Sequence, residues 1–160
     1  MNAIVKRLGA SASLAGLGAL VLGCVIALPA FAKTADETKV FVEKAVAHIK
    51  AVGQAKAFAD FSKTDGAFID GELYMFCFAA DGTTKAHGGN PGLLGKNLMS
   101  VKDPDGFAST AALIKTGLEQ GAGWVDFKWP NPASKKIEKK SSYVVKVDDA
   151  TICGSGYYKG

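Results

Sequence analysis

The spacing of hydrophobic positions changes three times along the chain. From Leu8 to Phe31 no residue is charged. Next, Val42, Ala45, Val46 and Ile49 recur at +3, +4 and +7, the stripe of one helix face, with Phe41, His48 and Val52 beside it. Thr34-Ala35-Asp36-Glu37 reads as the capping box that opens this helix, and Gly53 as its end. Ala55, Phe58, Ala59 and Phe61 predict a second short helix from Gln54 to Phe61, and Asp65-Gly66 a turn. Glu72 to Ala79 is then apolar on both parities, as in a central strand covered on two faces. Asp81-Gly82 marks a hairpin to a return strand over Thr83 to His87. The glycines between Gly88 and Lys96 predict a loop, and Phe107, Ala111, Ile114 and Leu118 a further amphipathic helix closed by Gly121 and Gly123.

The last third is strand-like. Val125, Phe127 and Trp129 share one parity against Asp126 and Lys128, and Pro130-Asn131-Pro132 breaks the run. Tyr143, Val145 and Val147 predict the next strand, Asp148-Asp149 a turn, and Thr151 to Tyr158 the last strand. Helix, strand pair, helix and three-strand meander add up to an α+β fold with one mostly antiparallel five-stranded sheet.

The 160 residues fit one domain, and a net charge of +4 is far from that of a dedicated nucleic-acid binder, so no nucleic-acid partner is expected. The charge is also unevenly placed. Lys6-Arg7, the apolar run and Ala30-Phe31-Ala32 have the layout of a signal peptide over residues 1–32, cleaved after Ala32. Two other readings of the segment stay open: an uncleaved anchor, since the run is long enough to span a bilayer, and a lipobox at Val21-Leu22-Gly23-Cys24. The interrupting glycines and Pro29 favour the cleaved signal. The expected location is therefore periplasmic or secreted, with residues 33–160 as the working domain. Arg7 is the only arginine, so that domain has none, and any anion it holds must be met by lysine, histidine, hydroxyls or amides.

One series of short motifs runs in order through the domain: Asp65-Gly66-Ala67-Phe68, Tyr74-Met75-Phe76, Asp81-Gly82, Ala86-His87, Leu94-Gly95-Lys96-Asn97-Leu98 and Asp103-Pro104-Asp105-Gly106. Gly123-Trp124 through Trp129-Pro130-Asn131-Pro132 follows, then Lys140-Ser141-Ser142-Tyr143-Val144 and Gly154-Ser155-Gly156-Tyr157-Tyr158. In these motifs and in its element order the chain resembles the single Cache (type 2) family of extracytoplasmic PAS-like sensor domains. The Gly-Trp…Trp-Pro-Asn-Pro run followed by Lys-Ser-Ser-Tyr is the most specific part.

The resemblance implies a sensory module that holds a small organic anion, often a short carboxylate, on one face of the sheet. Its implied partners are a membrane sensor kinase, chemoreceptor or transporter, and a homodimer is compatible with it. Lys140 is the first candidate for the anchor, because a primary ammonium in a partly dry pocket pairs with a carboxylate. His87 would donate to a ligand oxygen or switch charge near pH 6–7. Trp129 and Tyr74 are candidates for an aromatic wall, and Tyr143, Tyr158 and Asn131 for further polar contacts. Trp124 has the opposite parity to Trp129 and cannot share a pocket with it on a regular strand. The family topology sets the first and last strands side by side, which in an oxidising compartment makes Cys77 and Cys153 a disulfide pair. Free buried thiols are the alternative.

Other chemistry is poorly represented. No Cys and His pair has zinc-ligand spacing, Asp103-Pro104-Asp105-Gly106 lacks the rest of a calcium loop, and Gly154-Ser155-Gly156 lacks the third glycine of a dinucleotide site. Asp103-Pro104-Asp105-Gly106 reads as a turn and helix cap. No catalytic nucleophile arrangement can be assembled, so no cofactor and no enzymatic activity are expected. The competing expectation is a protein-interaction scaffold with a filled PAS-like core that docks on a membrane sensor.

Overall fold

The computed structural model describes residues 33–159. The signal-peptide reading, with its cleavage point and the alternative at Cys24, lies outside the described residues.

The capping box forms as its sequence requires. Thr34 Oγ1 accepts the Glu37 N–H at 3.2 Å, and Glu37 Oε2 accepts the Thr34 N–H at 2.9 Å, opening α1 over Ala35–Val52. The stripe Phe41, Val42, Ala45 and Ile49 is buried. Gly53 separates α1 from α2, Gln54–Phe61.

The apolar stretch after Gly71 is two strands rather than one. A small ribbon pairs β1, Ile69–Asp70, with β2, Leu73–Tyr74. The main sheet then starts with β3, Phe76–Ala79. The break falls where pairing partners change: Tyr74 opposes Ile69, whereas Phe76 opposes both His87 and Gly154. The Asp81-Gly82 turn returns the chain as β4, Thr84–His87, with Asp81 Oδ1 accepting the Thr83 N–H at 2.9 Å.

Helix α3, Ser109–Gln120, precedes the meander of β5, Ala122–Pro130, β6, Ile137–Asp148, and β7, Thr151–Tyr158. Two boundaries differ from the pattern reading. Strand β6 begins at Ile137, because the lysine-rich stretch before Tyr143 pairs in register with β5 from Pro130 onward. Helix α3 begins at Ser109 and buries Leu113, Ile114 and Gly117, while Phe107 stays in the preceding loop and is exposed.

The sheet order is β4-β3-β7-β6-β5, antiparallel throughout. The α+β, PAS-like architecture therefore stands as the sequence indicates, with the first sheet hairpin beside the last strand. On one face, α1 and α2 pack Phe41, Val42, Ile49 and Phe61 against Met75 and Cys77. On the other, α3 packs Leu113 and Ile114 against Phe76, Phe78, Val144 and Ile152. Cys77 and Cys153 sit opposite each other on β3 and β7, both fully buried on the α1 face, and form a disulfide. Closing a loop of 76 positions stabilises a fold of this kind by about 2–4 kcal/mol.

Candidate ligand-binding site

The register of the meander places Lys140. Phe127 on β5, Lys140 on β6 and Tyr158 on β7 are cross-strand neighbours on the α3 face. Strand alternation then sends Lys140, Ser142 and Val144 to that face and Ser141 and Tyr143 to the other. Lys140 runs across β7 at Gly156, where a Cβ would stand 2.8 Å from its Cε. A glycine at this strand position thus leaves the channel along which the side chain lies. The end of that path is closed: Lys140 is 1% exposed, with Nζ 3.8 Å from the centre of the Tyr74 ring and 4.7 Å from that of Tyr158.

Its one hydrogen bond, to the Tyr158 hydroxyl, is long at 3.5 Å. Tyr158 donates its own proton to the Pro130 carbonyl at 2.8 Å, so it accepts both from Lys140 and from the Tyr74 hydroxyl at 3.3 Å. Burial pushes both phenols well above the ordinary tyrosine range, which keeps them protonated. Burial likewise pulls Lys140 well below the ordinary lysine range, against the opposing field of Glu72.

His87 closes β4 beside this amine, its ring 5.1 Å from Tyr74 and 6.4 Å from Trp129. Its Nδ1 accepts the Asn90 N–H at 2.9 Å, which leaves the ring proton on Nε2. Burial pulls its pKa down to about 3, and any charge carried by Lys140 acts in the same direction. Burial thus favours the neutral, donating form of His87 over the charge switch near pH 6–7 that its residue type suggests.

The remaining wall comes from Phe76, Phe78, Phe127 and Trp129 of the sheet and from Ser109, Thr110 and Leu113 of α3. The N-cap of α3 is Ala108, which offers no side-chain acceptor to the first turn, and the Ser109 N–H donates to the Phe107 carbonyl at 3.0 Å. Ser109 Oγ is buried with no hydrogen-bond partner, and so is Ser142 Oγ, one rung along β6 from Lys140. The space enclosed is about 10 Å³, room for about one water. A ligand of even two carbons must displace lining side chains. Lys140 and Phe127 also line a second, open cleft of about 390 Å³ beside the Asp103–Phe107 loop.

That loop is held by Asp103. One carboxylate oxygen accepts the N–H groups of Asp105 and Phe107, at 2.9 and 3.0 Å, and the other accepts that of Lys128 on β5 at 3.0 Å. Asp103-Pro104-Asp105-Gly106 is thus a turn clasped to the sheet. It does not cap α3, whose N-cap lies further along at Ala108.

The sequence candidates divide accordingly. Lys140, His87, Tyr74 and Trp129 line the cavity, and Tyr158 backs it through its hydroxyl. Tyr143 is on the opposite face, packed on Trp124 at 5.1 Å under Lys39, because it lies an odd number of residues from Lys140 on one strand. Asn131 is in the β5–β6 turn, where it donates to Glu138 at 2.7 Å and accepts the Ala133 N–H at 2.9 Å; its polar groups are spent on the turn. Trp124 and Trp129 do point to different faces. Sequence reasoning missed Ser109, Thr110 and Phe127, which line the cavity, and Ser142, which is buried without a partner on the same face of β6 as Lys140. Parity with Lys140 and with Trp129 marks Ser142 and Phe127, whereas nothing local marks the start of α3 as part of the site.

The sequence profile of the single Cache domain 2 family matches residues 34–158. The chain belongs to this family. Cache domains are extracytoplasmic sensor modules, and this chain is a Cache sensor domain. It is 36% identical over 73 residues to the methyl-accepting chemotaxis protein McpP of Pseudomonas putida, a stretch covering 45% of this chain and 13% of that protein. It is 34% identical over 86 residues to the sensor histidine kinase MctS of Rhizobium johnstonii, covering 53% of this chain and 18% of that one. This Cache chain thus corresponds to only a small part of either relative's length.

Among solved structures, a Cache chemosensory domain studied for carboxylic acid recognition superposes with a TM-score of 0.66 at 27% identity, over 78% of this chain and 92% of that one. A methyl-accepting chemotaxis protein of Vibrio parahaemolyticus shares the fold with a TM-score of 0.68 at 24% identity, over 77% and 86% of the two chains. Among the described residues of this Cache domain no helix is long and apolar enough to cross a membrane.

Proposed function

We propose that this Cache domain reversibly binds a short organic carboxylate between its sheet and α3, as the input of a membrane chemoreceptor or sensor kinase. The observation that carries this reading is Lys140: a buried amine with no carboxylate partner, in one cavity with a His87 fixed as donor and an unpartnered Ser109 hydroxyl. Unsatisfied buried donors cost stability and persist where a ligand uses them. Lys140 would carry the charge of the carboxylate, and His87 Nε2, Ser109 and the first turn of α3 would share its oxygens. Tyr74, Phe76 and Trp129 would enclose the short apolar part. No covalent step is involved. The Cache neighbour studied for carboxylic acid recognition supports the ligand class.

The test is a thermal-shift and calorimetric screen of acetate, propionate and other short carboxylates against the protein and its Lys140→Met variant. The wild type is expected to be stabilised by at least one of them. The variant is expected to lose about two orders of magnitude in affinity, the scale of a charge-assisted hydrogen bond. No response from any carboxylate, or an unchanged affinity in the variant, defeats the reading. The small free volume of the cavity is the one observation that favours the interaction scaffold instead.

A further inference from the structure

Among the described residues no carboxylate lies within hydrogen-bond distance of the Lys140 amine. From β2 and β7, Tyr74 and Tyr158 present ring faces at 3.8 and 4.7 Å, and their hydroxyls are neutral. From β4, His87 adds a neutral ring. From β5 and α3 come Phe127, Trp129, Ser109 and Thr110. Charged groups stand further out. Glu72, in the β1–β2 turn beside the end of β7, acts on Lys140 only through its field, and its Oε1 accepts the N–H groups of Tyr158 at 3.1 Å and Lys33 at 3.3 Å. Across the open cleft, Asp105 pairs with Lys128 and Asp126 with Lys159, Asp103 is spent on backbone N–H groups, and Lys139 adds a further positive charge.

Ring faces favour a cation but do not replace the three hydrogen bonds that water gives an ammonium. A buried amine without an anion sheds its proton. An anion delivered to Nζ reverses that balance, because an ammonium–carboxylate pair is the form the dry site favours.

We propose that the pocket takes up its carboxylate together with one proton: the empty site holds Lys140 as a neutral amine, and the bound site is an ammonium–carboxylate pair. This rests on the carboxylate reading of the site given above. The proton comes from solvent. Tyr158 has committed its own to the Pro130 carbonyl, Tyr74 has committed its own to Tyr158, and His87 has only its Nε2 proton, which it keeps. The domain would then respond to the product of carboxylate and proton concentrations, and acidification would raise its sensitivity without any histidine switch.

The experiment is titration calorimetry of the protein with sodium acetate and sodium propionate between pH 7 and 9, in phosphate, HEPES and Tris, whose ionisation enthalpies differ. The expected result is an observed heat that depends linearly on buffer ionisation enthalpy, with a slope approaching one proton taken up per ligand. Affinity should fall by up to tenfold per pH unit toward pH 9. Binding with the same heat in every buffer and a constant Kd overturns proton uptake and leaves the carboxylate reading intact. No binding of either anion overturns both. A second measurement needs no variant: the Lys140 Cε resonance should titrate below the ordinary lysine range in the free protein and move upward when acetate saturates the site. Titration at the ordinary position in the free protein overturns the proposal.

Discussion

The two faces of the sheet are built to different standards. On the α1 face, large apolar side chains and a disulfide fill the space, and the polar groups at its edge are paired. Asp60 alone is bonded to His48, Lys56 and Lys63, at 3.1, 2.6 and 2.9 Å. On the α3 face, an amine, an imidazole and two unpartnered hydroxyls are buried among aromatic rings. One sheet thus stabilises the fold through one face and carries strained polar chemistry on the other. Buried polar groups without partners are a stability cost that selection tolerates where they serve a site.

The largest break in this contrast should come from the apolar face. Phe61 is fully buried between α2 and the sheet, with Phe68 at 4.5 Å. Phe61→Ala is expected to lower unfolding free energy by about 3–5 kcal/mol in denaturant titration, with carboxylate affinity of the folded protein unchanged. On the other face the sign should invert. Lys140→Met removes an unpaired buried amine and keeps its volume, so it should raise stability by about 1–4 kcal/mol while binding is lost. A destabilised Lys140→Met would mean the amine is already satisfied and the faces are alike.

A smaller effect separates the hydroxyls. Ser109→Ala should leave stability within about 0.5 kcal/mol, since no hydrogen bond is broken, and weaken carboxylate binding several-fold. Acid sharpens the contrast most gently. The unfolded chain protonates His87 below its ordinary 6.5, whereas the folded chain holds it neutral down to about 3. Stability on that account is full above pH 6.5 and falls as pH drops through that window. Asp60 is depressed instead by its cations, so its contribution is present above 3.8 and is lost only at lower pH. Denaturant midpoints between pH 7 and 4 should therefore decline in the wild type and stay flatter in His87→Gln.

Much of the site was open to reading from strand parity. Lys140, Phe127 and Trp129 follow from alternation along β5 and β6 once their register is known, and the same alternation excludes Tyr143. The resemblance pointed to Lys-Ser-Ser-Tyr as one motif, but a period of two splits any four consecutive strand residues between two faces. Asn131 misled for a different reason: a turn asparagine uses its amide on its own loop.

By itself the sequence determined the helices, the hairpin and the meander, because capping, turn chemistry and hydrophobic period act over a few residues. It also carried the Cache motifs that mark the family. The tertiary structure decided what distance along the chain conceals. It brought the uncapped start of α3 onto β6, and laid Lys140 over Gly156 against two tyrosines from strands 84 residues apart. It also held His87 neutral by burial. Each of these depends on which surfaces lose water together, and no local pattern of residues specifies that.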